Sequence, residues 1–218
     1  MENINRYIEH TNLSPELVDA DIDRLVMEAR DHHLLGICVP PFWVKKAKRE
    51  IGESDIQLVT VIGFPLGYNM TETKLLEMEM AIENGVNELD LVMNISAFKT
   101  GMPWAKIEIA KCAKLAHDGF CSLKVIVETD YLSAEELTTA CRLCSDAGAD
   151  FVKTSTGFAL SGAKLEDIKL MRGCLPSNVG IKASGGIKTF EQVSQLIEAG
   201  ADRIGTSSGV SIISNPIP

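Results

Sequence analysis

No stretch of this 218-residue sequence approaches the ~18 consecutive apolar residues of a membrane-spanning helix. The opening Met1-Glu2-Asn3-Ile4-Asn5-Arg6 lacks the charged-then-apolar plan of a secretory signal. These absences predict a soluble, cytoplasmic chain with no membrane partner. A basic excess is missing too. Lys and Arg number 21 against 30 Asp and Glu, for a formal net charge of −9. That balance argues against nucleic acid as a partner. Metal-ligand spacing is absent, since His10, His32, His33 and His117 form no cluster. Cys141-Arg-Leu-Cys144 has zinc or redox spacing, but it lies in a helical stretch and no second pair follows. The pair reads as small apolar residues on one helix face, and the six cysteines as free thiols. No metal and no cofactor is expected. No linker or composition break divides the chain, so residues 1–218 read as one domain.

What is present alternates. Tyr7–Thr11 reads as a short strand, and Ser14-Pro15 opens a helix with Ser14 as N-cap. Leu17, Ile22, Leu25, Val26 and Ala29 give that helix an apolar stripe. Further strands are expected at 34–39, 57–62, 88–93, 121–128, 151–154, 179–183 and 203–206. Helices are expected at 42–51, 71–84, 103–117, 133–147, 165–173 and 189–199, and a short tail of about two helical turns follows the last strand. Eight strands alternating with helices predict an α/β fold, a compact single (β/α)8 TIM barrel with a short C-terminal tail. An open doubly wound sheet is the alternative, but its G-x-G-x-x-G is missing from the first strand–helix turn.

Charge sits where such a sheet has little use for it. Asp150-Phe-Val-Lys-Thr-Ser-Thr-Gly157 reads as a buried strand that carries Lys153 and runs into a hydroxyl and glycine loop. Lysine is almost never fully buried unless paired or used. The strand openings also repeat. Gly85-Val-Asn-Glu-Leu-Asp90, Gly148-Ala-Asp-Phe-Val-Lys153 and Gly200-Ala-Asp-Arg-Ile-Gly205 share one spacing from a helix-ending glycine, and Gly119 leads in the same way to Lys124. One barrel position thus carries an acid, two lysines and a glycine, where packing alone favours Val, Ile or Leu. Lys182 is a further mid-strand lysine. The set reads as a catalytic constellation rather than structural ion pairs.

The chemistry follows from the amines. At pH 7 an ordinary lysine is neutral in about one copy in 2,500. Burial and a neighbouring ammonium both favour the neutral, nucleophilic form. One lysine can then attack a carbonyl to form a Schiff base while a second stays cationic and depresses it. Asp90 is available to move protons. Spacing alone does not rank Lys153 against Lys182 as nucleophile. The loops Thr154-Ser-Thr-Gly157, Ser184-Gly-Gly-Ile187 and Gly205-Thr-Ser-Ser-Gly209 offer glycines and hydroxyls after strands six to eight. Barrel enzymes frequently bind phosphate in that region.

These segments resemble the deoxyribose-phosphate aldolases, class I aldolases of the (β/α)8 type. The resemblance covers nearly the whole chain. It rests on Glu9-His-Thr11, Gly36-Ile-Cys-Val39, Val61-Ile-Gly-Phe-Pro-Leu-Gly67, Glu88-Leu-Asp-Leu-Val-Met-Asn94 and Leu123-Lys-Val-Ile-Val-Glu-Thr129. Phe151-Val-Lys-Thr-Ser-Thr-Gly-Phe158, Val179-Gly-Ile-Lys-Ala-Ser-Gly-Gly-Ile187 and Arg203-Ile-Gly-Thr-Ser-Ser-Gly209 complete it. It implies reversible cleavage of 2-deoxy-D-ribose 5-phosphate to D-glyceraldehyde 3-phosphate and acetaldehyde, without a metal, in a dimer or tetramer. By motif it implies Lys153 as the Schiff-base lysine and Asp90 with Lys182 as the proton-transfer pair. Thr11, Cys38 and Lys124 would line the substrate pocket. Gly185, Gly186, Gly205, Ser207 and Ser208 would cradle the phosphate, with Thr156 and Gly157 also binding substrate. Glu9 stands where the family usually has aspartate, Asn12 where it has leucine, and Ser96 where glycine is commoner. The loop 158–162 is poorer in glycine and hydroxyls than usual, and the tyrosine-bearing tail of some members is not expected.

Overall fold

The computed structural model describes residues 3–215, so the readings of Met1, Glu2 and the end of the tail, 216–218, lie outside it. Eight parallel strands among these residues close into a barrel: β1 (Ile8–Thr11), β2 (Gly36–Val39), β3 (Gln57–Ile62), β4 (Glu88–Val92), β5 (Ser122–Ile126), β6 (Phe151–Lys153), β7 (Gly180–Ser184) and β8 (Arg203–Thr206). Each pairs with the next in the chain, and β8 returns to β1 through Ile8↔Ile204, Glu9↔Gly205 and His10↔Thr206. The helices outside are α1 (Asp19–Asp31), α2 (Val44–Ile51), α3 (Thr71–Glu83), α4 (Ile95–Lys99), α5 (Trp104–Asp118), α6 (Ala134–Asp146), α7 (Leu165–Cys174), α8 (Phe190–Glu198) and α9 (Gly209–Ser214).

Strand alternation sorts the side chains. Ile37, Leu58, Leu89, Leu91, Val125 and Val152 face outward and share one buried core with the inner stripes of the helices, such as Ile22 and Val26 of α1. Cys141 and Cys144 of α6 belong to the same core as buried thiols. Cys38, Val59 and Val61 face inward and form a small separate cluster.

Local chemistry moves several boundaries. Tyr7 closes a 3-10 turn and β1 starts at Ile8. Ser14 does not cap a helix. Its carbonyl accepts from Leu17 N at 3.3 Å and its Oγ from Glu16 N at 3.3 Å, which makes a local turn. Helix α1 begins only at Asp19, where Asp21 reaches back to accept from Val18 N at 2.9 Å. Pro41–Trp43 forms a 3-10 turn, so the helix expected from residue 42 begins at Val44. Helix α4 was not expected; Asn94 caps it by accepting from Ala97 N at 3.1 Å. At Ser133 the expected cap forms, with Glu136 completing a capping box.

Candidate active site

Because Leu89 and Leu91 point outward, Glu88 and Asp90 must point into the barrel. The same alternation turns Lys124, Lys182 and Glu9 inward. Register then sets their heights. Asp90 lies opposite Lys124, whereas Lys153 lies opposite Ile126 on one side and Lys182 on the other. Equal spacing from the helix-ending glycines is therefore not equal height. The stagger of a closed barrel lifts Lys153 two residues above Lys124, toward the C-terminal mouth. Gly205 lies opposite Ser184 and Glu9. A Cβ there would come within 3.0 Å of Lys182 Cε, so glycine leaves the space that Lys182 occupies.

One carboxylate gathers the lysines. Asp90 Oδ2 accepts from Lys153 Nζ and from Lys182 Nζ, each at 2.7 Å, and Oδ1 accepts from Lys124 Nζ at 3.0 Å. Lys182 also donates to Glu9. Lys124 Nζ lies 3.6 Å from Glu9 Oε1 and 2.5 Å from Glu88 Oε2. Asp90, Glu9, Lys124 and Lys182 have no solvent exposure, and Lys153 has 3%. The sequence shows Glu9 and Glu88 only within the segments that carry the resemblance, Glu9 as a departure there, and assigns neither a role in the site. The signal for both was a carboxylate at an inward position of a strand.

The shared environment splits the amines. Burial pushes the Lys153 ammonium down; Asp90 opposes this and Lys182 adds to it, leaving its pKa lowered. Burial acts on Lys182 too, but Asp90 and Glu9 outweigh it and hold that amine cationic well beyond the ordinary range. Lys124 is raised against its burial by Asp90, Glu9 and Glu88. Burial also disfavours the Asp90 carboxylate, yet the three lysines hold it well below the usual range. The Cys38 thiol is pushed up to about 11, chiefly by burial, and stays neutral.

A cavity of about 420 Å³ opens at the C-terminal mouth. Among Asp90, Lys124, Lys153 and Lys182, Lys153 alone lines it. Thr11, Thr156, Gly157, Gly185, Gly186, Gly205, Ser207 and Ser208 also line it. Lys124 and Cys38 do not line it: both are fully buried, Cys38 opposite Thr11 and Lys124 two residues below the level of Lys153. Gly185 adopts φ +89°, and a Cβ on it would lie 3.0 Å from Gly162 Cα, so two glycines let these loops meet beside the cavity. The Thr156 backbone N and Oγ1 both donate to the buried Glu128 carboxylate, and its Oγ1 accepts from Phe158 N at 3.1 Å. Thr156 therefore shapes the loop after β6, with its donors spent on protein. Sequence reading missed Glu128 and also Lys188, an exposed cation on the cavity wall. Lys188 follows Gly185-Gly186-Ile187 directly, which was the available signal.

Residues 5–215 match the model of the DeoC/LacD family aldolases. The chain is 50% identical over 212 residues to a deoxyribose-phosphate aldolase of Brevibacillus brevis, covering 97% of this chain and 95% of the relative. Among solved structures, an aldolase called QR15 superposes with a TM-score of 0.94 at 41% identity, covering 98% of this chain and 96% of that one. A tetrameric deoxyribose phosphate aldolase from Aeropyrum pernix superposes with a TM-score of 0.91 at 33% identity, covering 97% and 89%.

Proposed function

The chain belongs to the DeoC/LacD family of aldolases, and on that premise we propose that it cleaves 2-deoxy-D-ribose 5-phosphate through a Schiff base on Lys153. The products are D-glyceraldehyde 3-phosphate and acetaldehyde, and the reverse condensation uses the same groups. The observation that carries this reading is the asymmetry of the buried amines: of Lys124, Lys153 and Lys182, Lys153 alone lines the cavity, with a lowered pKa, while Lys182 is held cationic behind it.

A neutral Lys153 gives one N–H to Asp90 and keeps its lone pair for the substrate aldehyde at C1. Addition gives a carbinolamine, and loss of water gives the iminium. The iminium draws electrons from the C2–C3 bond as the C3 hydroxyl loses its proton. Glyceraldehyde 3-phosphate leaves, and an enamine of acetaldehyde remains on Lys153. Protonation at C2 and addition of water then release acetaldehyde and the free amine. Each proton step needs a partner. Asp90 and Lys182, 2.7 Å apart and directly behind Lys153, form the reservoir that takes and returns these protons. Lys124 acts through its bond to Asp90, and Cys38 stands beside the charged groups as a buried neutral thiol. Gly185, Gly186, Ser207, Ser208 and Lys188 form the wall against which the phosphate rests.

The same reading takes residues 1–218 as one aldolase domain without a cofactor, cytoplasmic, working on small phosphosugars and aldehydes as a homodimer or homotetramer. The tetrameric relative supports the assembly. Among the described residues no helix is long and apolar enough to cross a membrane. Borohydride reduction with acetaldehyde, followed by peptide mass mapping, tests the central claim. An ethyl group on the Lys153 peptide is the expected result; ethylation of Lys182 alone would reassign the nucleophile. A coupled assay for glyceraldehyde 3-phosphate release tests turnover.

A further inference from the structure

The charged groups do not stop below Lys153. They continue down the barrel axis to its N-terminal end, where β4, β6 and β8 begin with Glu88, Phe151 and Arg203. Lys124 Nζ lies 2.5 Å from Glu88 Oε2. The Arg203 guanidinium stands 3.8 Å from Glu9 Oε1 and 4.0 Å from Glu88 Oε1, and 5.2 Å over the Phe151 ring. Its side chain is 25% exposed, while those of Glu9 and Glu88 are 0% and 7%. Glu9 Oε1, Glu88 Oε2 and Arg203 Nε are buried without a hydrogen-bond partner among the described residues. They face their neighbours as charges rather than as aligned donors and acceptors. Glu88 and Arg203 line no part of the cavity.

The charges count in a telling way. Lys124, Lys182 and Arg203 are three cations, and Glu9, Glu88 and Asp90 are three carboxylates. Within this ion-paired set the charges are equal when Lys153 is the free amine, and a protonated Lys153 adds a fourth cation to it. We propose that Glu88 and Arg203 are positioning residues for the amine chemistry, setting from the far end of the barrel the charge balance under which Lys153 is neutral. This rests on the reading of Lys153 as the Schiff-base lysine. Lys153 itself faces Asp90 from β4, Lys182 from β7, Cys38 from β2 and Glu128 from the loop after β5, while Lys124 from β5 and Glu9 from β1 are linked to it through Asp90 and Lys182. Both oxygens of Glu128 are already turned to Thr156.

The two residues have opposite signs, so their removal must act in opposite directions. Glu88→Gln deletes a negative charge, makes the Lys153 ammonium harder to keep, and moves the acid limb of kcat/KM to lower pH. Arg203→Met deletes a positive charge and moves that limb to higher pH. Through an effective dielectric of about 20, each shift is on the order of half to one pH unit. The double variant restores the balance and returns the limb to the wild-type position, as does the conservative Arg203→Lys. A purely structural role would lower the melting temperature in both single variants without moving the limbs apart.

The experiment is the pH profile of 2-deoxyribose 5-phosphate cleavage for these proteins, with borohydride trapping of acetaldehyde on each. Limbs that move in the same direction, or by less than about 0.2 unit, overturn the inference. Should one single variant fail to fold, the direction of the other decides, and the double variant must keep the wild-type limb. Trapping separates the two levels of the argument. An adduct on Lys153 with unmoved limbs overturns this inference alone, whereas no adduct on the wild-type protein removes the Schiff-base reading and this inference with it.

Discussion

Two buried lysines in this molecule look alike and do different things. Lys74, on α3, is fully buried; its Nζ donates to Glu108 at 2.6 Å and to the Val92 carbonyl at 2.9 Å. Glu108 in turn accepts from Thr71 Oγ1 at 3.0 Å. This pair ties α3 and α5 to the end of β4, and neither residue lines the cavity. Lys153 is nearly as buried and also sits against a carboxylate at 2.7 Å. It differs in sharing that carboxylate with two other lysines and in having an open cavity above it. Burial with a partner makes a cross-link. Burial with a shared partner, a competing ammonium and an open cavity is what the proposed nucleophile has and the cross-link lacks.

Substitutions can break or sharpen this contrast. The largest effect belongs to Lys153→Leu, which abolishes borohydride trapping and lowers turnover on the order of 10⁵-fold while the circular dichroism spectrum stays native. Asp90→Asn follows, with turnover down by about 10²–10⁴ if the carboxylate relays protons. A near-normal rate in a stable Asp90→Asn protein would remove it from the mechanism, and melting temperature measured on the same preparation separates lost chemistry from lost stability. Lys74→Met leaves Glu108 buried without its cation and costs about 3–5 kcal/mol of stability. Its kcat should hold at temperatures where the protein is folded. Lys74→Met combined with Glu108→Leu recovers most of that loss in urea denaturation; specific loss of turnover in the stable double variant would erase the contrast. The smallest effect is Ser208→Asp, which sets a negative charge on the cavity wall. KM for 2-deoxyribose 5-phosphate rises by about ten- to a hundredfold. Unphosphorylated 2-deoxyribose is barely affected, and equal losses would exclude this wall as the phosphate site.

The contrast also separates what the sequence could reveal from what it could not. The strands were legible because each is a short apolar run between turn residues, and β3 and β8 appear at their expected limits. The inward lysines were legible because they interrupt those runs. Lys74 was not, since a lysine on a helix is ordinarily a solvent-facing residue and only the packing of α3 on α5 buries it. Glu9 and Glu88 were overlooked for another reason: a carboxylate gains meaning here only from its register against Gly205 and Ser122 and from the lysines this brings near. Ser14-Pro15 misled because a hydroxyl before proline suits a turn as well as a helix start, and here the turn wins. The repeat spacing identified Asp90, Lys124 and Lys153 but assigned them one level, because stagger between strands is a property of the closed ring and not of any segment.

Ring closure has a temporal side. Glu9 comes from the first strand, Lys182 from the seventh and Arg203 from the eighth, and they meet only when β8 docks on β1. A growing chain carries Lys153 long before that contact exists, and until then the lysine stands in water as an ordinary, protonated amine. The surroundings that lower the Lys153 pKa are thus complete only once the ring has closed.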